Sequence, residues 1–147
     1  MAADRNQHAN PAAGNAGAGD VAAGQRNVML LQGLMGPFFR ELGKGLIARG
    51  HKVFKVNFNG GDKIYWRLPN GIEYRGTLAD WPDAFAGLLT KYQITDVVLF
   101  GDCRDHHRGA VEICRARDVR VWVFEEGYIR PDWVTLENGG VNGLSLI

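Results

Sequence analysis

The sequence has little cysteine, no long apolar run and almost no net charge. Cysteine occurs only at Cys103 and Cys114. Two thiols are too few for a disulfide framework, so a reducing cytoplasm is the expected setting. No apolar stretch approaches the ~18–20 residues that span a bilayer. The formal net charge of +1 leaves no electrostatic footprint for nucleic acid. Acidic and basic tails are also missing. The N-terminus, "MAADRNQHANPAAGNAGAGDVAAGQ", has neither an early basic cluster nor an apolar core, which excludes a secretory signal. Its Ala/Gly/Asn bias reads as a tail, so residues 1–25 are set apart from a folded domain at 26–147.

An apolar fraction of 46% is that of a globular chain. Beyond the tail, strand and helix patterns alternate. Apolar runs at Asn27–Gln32, His51–Phe58, "TDVVLFGD" and "VRVWVFEE" read as strands. In "GPFFRELGKGLIARG", Phe38, Leu42 and Leu46, flanked by Phe39 and Ile47, recur at helical spacing. Pro37 suits the first turn and Gly50 the position past the end. In "LADWPDAFAGLLTKYQ", Asp80 is placed to cap a helix whose apolar face is Trp81, Phe85, Leu88 and Leu89. A shorter helix turns Ala110, Val111 and Cys114 inward. "PNG", between Tyr65–Leu68 and Ile72–Tyr74, is a hairpin signal. The expected fold is therefore α/β: a Rossmann-like parallel sheet with helices on both faces and an inserted β-hairpin.

In such sheets ligands bind beyond the carboxyl ends of the strands. Four strand exits therefore hold the candidates. "QGLMGP", with Gly33 and Gly36, either presents backbone N–H groups to an anion or is a tight turn alone; it is neither a dinucleotide fingerprint nor a P-loop. "NFNGGDK", with Asn59, either meets sugar hydroxyls or is a wide turn. In "GDCRDHH", Cys103, His106 and His107 are too few and too crowded for a zinc site. Asp102 or Asp105 is expected to cap the following helix, with Arg104 or His107 facing the crevice. "EEGYIRPDW" puts Glu125 and Glu126 at a strand end, five residues before Arg130. Neighbouring like charges raise one pKa and a cation lowers another, so the pair can divide acid and base roles. Alternatively one glutamate is solvated and the other pairs with Arg130 to fix the loop.

Taken in order, "VNFNGGD", "DWP", "DVVLFGDCRDHHRGA" and "VWVFEEGYIRPDWVTLENGGVNG" resemble the capsule polysaccharide biosynthesis and export family, KpsS type. The resemblance runs from Asn27 to the last residue. It implies a retaining glycosyltransferase of Gram-negative bacteria that moves 3-deoxy-D-manno-oct-2-ulosonic acid (Kdo) from CMP-Kdo to a lysophospholipid. That reaction would start the linker of an exported capsule chain, at the cytoplasmic face of the inner membrane and beside other capsule proteins. CMP-Kdo is then a donor substrate, with no separate cofactor or metal. The resemblance also implies a GT-B-like enzyme of which this chain is the N-terminal half, continued by a nucleotide-binding half and inactive alone. By the same resemblance Glu125, with Glu126 second, is the acid or base toward the acceptor hydroxyl. Arg130 holds a carboxylate or phosphate, and Asp102, Arg104 and His107 lie near the cleft. A non-catalytic export or assembly factor is the alternative.

Overall fold

The computed structural model describes residues 24–31, 33, 36–101, 104–126 and 134–138. Its elements are β1 (Asn27–Leu30), α1 (Phe38–Ala48), β2 (Lys52–Asn57), α2 (Gly60–Trp66), β3 (Gly71–Glu73), α3 (Trp81–Lys91), β4 (Asp96–Phe100), α4 (Asp105–Ala116), β5 (Arg120–Glu126) and β6 (Val134–Asn138). They form one six-stranded sheet in the order β3-β2-β1-β4-β5-β6. The first five strands are parallel, and β6 pairs antiparallel with β5. This is the Rossmann-like α/β arrangement expected from the alternating pattern.

Strand alternation sorts the core into two faces. Met29, Leu31, Val97, Leu99, Val121 and Val123 pack with Trp81, Phe85 and Leu89 of α3 and Ala110, Val111 and Cys114 of α4. Val28, Leu30, Val53, Val98 and Phe100 pack with Phe39 of α1 and Trp66 of α2. Strands covered on both sides are mostly apolar, and every residue of β1 and β4 is buried, the polar Asn27 and Asp96 at their starts included. The helix signals hold in their main lines. Gly50 takes φ +85° past α1, and Pro82 lies in the first turn of α3. Two details differ. Ile47 is 42% exposed, outside the apolar stripe of α1. The Asp80 carboxylate makes no cap; it accepts from the Thr77 hydroxyl and N–H, fixing the turn before α3.

The expected hairpin is absent. Residues 58–70 instead form a crossover through α2, and β3 runs parallel to β2, with Lys55 opposite Gly71. The physical reason lies in the ends of the segment. Asn59 Oδ1 accepts from Asp62 N at 3.0 Å and caps α2, while Arg67 at φ 44° ends it. Trp66 turns inward and donates Nε1–H to Pro69 O at 3.2 Å. Asn70 does adopt a left-handed φ of 62°, but its side chain donates to Val53 O and ties β3 beside β2. A parallel partner needs a crossover, not a tight turn.

Candidate functional site

The sheet order reverses between β1 and β4, where the connections leave toward opposite faces. Ligands of doubly wound folds bind in the crevice at that point. Two buried polar side chains lie on elements near it, His107 on α4 after β4 and Lys55 on β2 beside β1.

His107, in the first turn of α4, is fully buried. Its Nδ1 lies 2.5 Å from Gly101 O, at the end of β4. A carbonyl only accepts, so Nδ1 carries the proton and Nε2 presents a lone pair. Nε2 is buried with no hydrogen-bond partner. Burial foremost pushes the imidazole pKa down to about 4; the Arg104, His106 and Lys55 charges add to this against the Gly101 hydrogen bond. The ring is therefore neutral near pH 7.

Lys55 lies on β2 and is only 3% exposed. Its Nζ donates to Val56 O at 2.7 Å and to Asn57 Oδ1 at 3.2 Å. Burial lowers its pKa to about 8, opposed by the Asp62 charge. No carboxylate forms a salt bridge with it among the described residues. A buried ammonium without an ion partner is costly to the fold.

Glu125 lies at the carboxyl end of β5. Phe100 pairs with Phe124, and Gly101 N donates to Phe124 O at 2.8 Å, so Gly101 stands beside Glu125. One strand spacing, about 4.8 Å, separates those two backbones. His107 bonds that same Gly101, so the imidazole and Glu125 share the β4–β5 end of the crevice. Glu125 falls on the face of Val121 and Val123, the face that α4 covers.

Of the other expected residues, Glu126 lies within β5 opposite Val134, where only its backbone is described. Asp102, Arg130 and Cys103 lie outside the described residues. Arg104 occupies the N-cap of α4, exposed, and lends its charge to the field at His107; neither it nor Asp105 makes a side-chain cap. Gly33 has a packing reason of its own, since a Cβ there would sit 2.8 Å from the Phe39 ring. Gly36 holds φ +128° before α1. Asn59, besides capping α2, lines a cleft of about 300 Å³ with Asn57, Lys63, Glu73, Tyr74 and Arg75. Rings of Phe58, Tyr74, Trp81 and His106 border that side of the edge, with Phe58 and His106 centroids 4.4 Å apart. Trp81 Nε1 donates to His106 O at 2.8 Å and pins the start of α4 to α3.

Lys55 is absent from the sequence-based expectations. A charged residue in a strand pattern reads as a solvated position. The usable signal was its place in a strand destined to be covered on both faces.

Comparison with known proteins places this chain in a family. A model described as capsule polysaccharide biosynthesis protein matches residues 95–147. The "Capsule polysaccharide export protein KpsS" of Escherichia coli is 39% identical over 82% of this chain and 31% of its own length. The chain belongs with the KpsS-type capsule polysaccharide proteins. The "Capsule polysaccharide modification protein LipB" of Neisseria meningitidis serogroup A is 38% identical over 81% of this chain and 29% of its own length. The KpsS-type chain thus spans about a third of the length of these relatives. Two solved structures share its fold. One is the Bordetella bronchiseptica enzyme WbmH in complex with NAD+, with a TM-score of 0.50 at 20% identity over 65% of this chain and 36% of that one. The other is UDP-GlcNAc 2-epimerase from Methanocaldococcus jannaschii, with a TM-score of 0.50 at 17% identity over 65% and 30%. At these identities the likeness concerns the fold alone. Among the described residues no helix is long and apolar enough to cross a membrane.

Proposed function

We propose that this chain is the N-terminal, acceptor-side part of a GT-B-like capsule glycosyltransferase. It transfers Kdo from CMP-Kdo to a lysophospholipid at the inner surface of the cytoplasmic membrane. The observation that carries this reading is the kinship with capsule export and modification proteins over most of the chain. The position of Glu125 at the carboxyl end of β5, beside the switch point, supports the chemistry.

A sugar transfer needs a group that takes the proton of the attacking hydroxyl. Glu125, with Glu126 next to it in β5, is assigned that work. Arg130 is assigned the carboxylate or phosphate of the substrate, for which its planar fork is suited. The nucleotide half of the reaction is assigned to sequence beyond this chain, so the 147 residues alone are expected not to turn over.

The word "export" in the name of the Escherichia coli relative favours a second reading, a factor that binds the lipid-linked glycan without chemistry. Full-length protein given CMP-Kdo and a lysophospholipid separates the two. Acceptor-dependent release of CMP is the result expected of a transferase. Acceptor binding with no CMP release is the result expected of an assembly factor.

A further inference from the structure

The cleft at the carboxyl ends of β2 and β3 has no part in the reading above. It holds about 300 Å³, room for a small ligand. Its place past the strand ends is where open α/β sheets bind ligands. Its lining has two kinds of chemistry. Phe58 and Tyr74 supply aromatic rings. Both lean on the buried Trp81, each with its centroid 4.9 Å from that ring. The Tyr74 hydroxyl donates to Thr77 O at 2.6 Å. The rings are thus fixed before any ligand arrives. The rest of the lining is polar. Glu73, opposite Asn57 in the sheet, takes Lys63 on one carboxylate oxygen and Arg75 on the other, the latter at 2.6 Å. That carboxylate is occupied by its own cations, while an ammonium and a guanidinium each have further N–H donors to give. Asn57, only 4% exposed, gives its Oδ1 to Lys55 Nζ at 3.2 Å, so what its amide has left to offer is the N–H donors. The polar lining therefore carries two cations to one anion and a surplus of donors.

We propose that this cleft binds a sugar acid, whose ring packs its C–H face on Phe58 and Tyr74 and whose carboxylate takes hydrogen bonds from Lys63 and Arg75. A bare inorganic anion would leave the aromatic rings unused. A neutral sugar would leave the donor surplus without a charged acceptor. The same surplus of positive charge disfavours a cation. The side chains of Lys63 and Arg75 are 64% and 83% exposed, so a ligand reaches them from solvent. The Asp62 carboxylate, in the first turn of α2, is taken by the Phe58 N–H at 3.0 Å. In the sheet, β2 and β5 are separated by β1 and β4. That is about 14 Å at one strand spacing of ~4.8 Å. One sugar ring cannot touch both this cleft and Glu125. The cleft therefore holds a sugar other than the one on which Glu125 acts.

The proposal does not rest on the transferase reading, and its test uses no turnover, so the two fail separately. Full-length protein is titrated in a calorimeter with four probes. Methyl β-D-glucuronide and free Kdo are sugar acids. Methyl β-D-glucoside has an alcohol in place of the carboxylate, and inorganic phosphate has no ring. Saturable binding of at least one sugar acid is expected, with the glucoside and phosphate at least about tenfold weaker. Lys63→Gln and Arg75→Gln, carried together, are expected to weaken the acid about tenfold, the loss of a charge-assisted hydrogen bond. Ion pairs this exposed contribute little to stability, so the variant is expected to keep its circular dichroism spectrum and melting temperature. A sugar acid bound elsewhere on the protein would be unmoved by these substitutions. The proposal is overturned by no saturable binding of either acid, by equal binding of the glucoside or of phosphate, or by acid binding that the paired substitutions leave unchanged.

Discussion

Lys55 is buried where an apolar side chain would be cheaper. Its ammonium titrates at about 8 in the fold, against an ordinary 10.5, because burial disfavours the charge. The depressed value means that the folded state holds this proton less tightly than the unfolded chain. The penalty is fully present below pH 8 and fades as pH rises toward 10.5. Lys55→Met removes it, at the expense of the hydrogen bonds to Val56 O and Asn57 Oδ1. The variant is expected to be no less stable than the parent at pH 7, and up to about 2 kcal/mol more stable, by urea unfolding. A loss above about 1 kcal/mol would mark Lys55 as structural. His107 gives a second test with the same sign. Its folded value near 4 lies below the ordinary 6.5, so the unfolded chain takes up the proton first as pH falls. The contribution of the neutral ring is whole above pH 6.5 and drains away toward pH 4, by on the order of 3 kcal/mol at most. The groups that set this value are Gly101 O, Arg104, His106 and Lys55. His107→Phe cannot titrate, so the stability difference between parent and variant should drift toward the variant across that window. A constant difference would contradict the burial of a neutral imidazole. At this scale the sequence disclosed His107 and the glutamates through their places at strand exits. It hid Lys55 and Asp96, because a lone charge in a strand reads as solvated. Asp96 is buried instead under hydrogen bonds from Thr95, Arg120 and Trp122.

Elements whose apolar pattern is strong were legible: β1, β4, α3 and α4 follow directly from periodicity and turn residues. The misread segment is short and mixed. "GGDKIYWRLPNG" offers aromatic residues and a turn signal, yet Asn59 and Asp62 start a helix there, and the decisive contact is tertiary. Gly43 of α1 lets Trp66 of α2 approach so closely that a Cβ at Gly43 would sit 2.7 Å from the indole. No local pattern carries that information. The contact supplies its own test. In an isolated helix Gly→Ala gains up to about 1 kcal/mol. Here Gly43→Ala is expected to cost about 1–3 kcal/mol by wedging α1 from α2. A stabilised variant would show that Trp66 does not pack on α1. The antiparallel β6 was also unforeseen. Val134 and Leu136 are 41% and 49% exposed, so its apolar residues advertise no core, and its place comes from pairing along β5.

For the whole molecule, the order of the strands matters more than any one motif. It sets the β4–β5 corner, with His107 and Glu125, beside the reversal of strand order between β1 and β4. The glutamate pair forms the last two residues of β5, as the strand pattern predicts; both are paired with β6, and Glu125 neighbours the Gly101–His107 corner. The kinship with capsule proteins gives that edge a chemical context, and the relatives' greater length sets where activity must be measured. The most direct measurement is acceptor-dependent release of CMP by full-length protein carrying Glu125→Gln, with folding checked by circular dichroism. The account predicts a fall in kcat of about 10²–10⁴-fold with little change in acceptor binding. Turnover equal to that of the unaltered protein would contradict it.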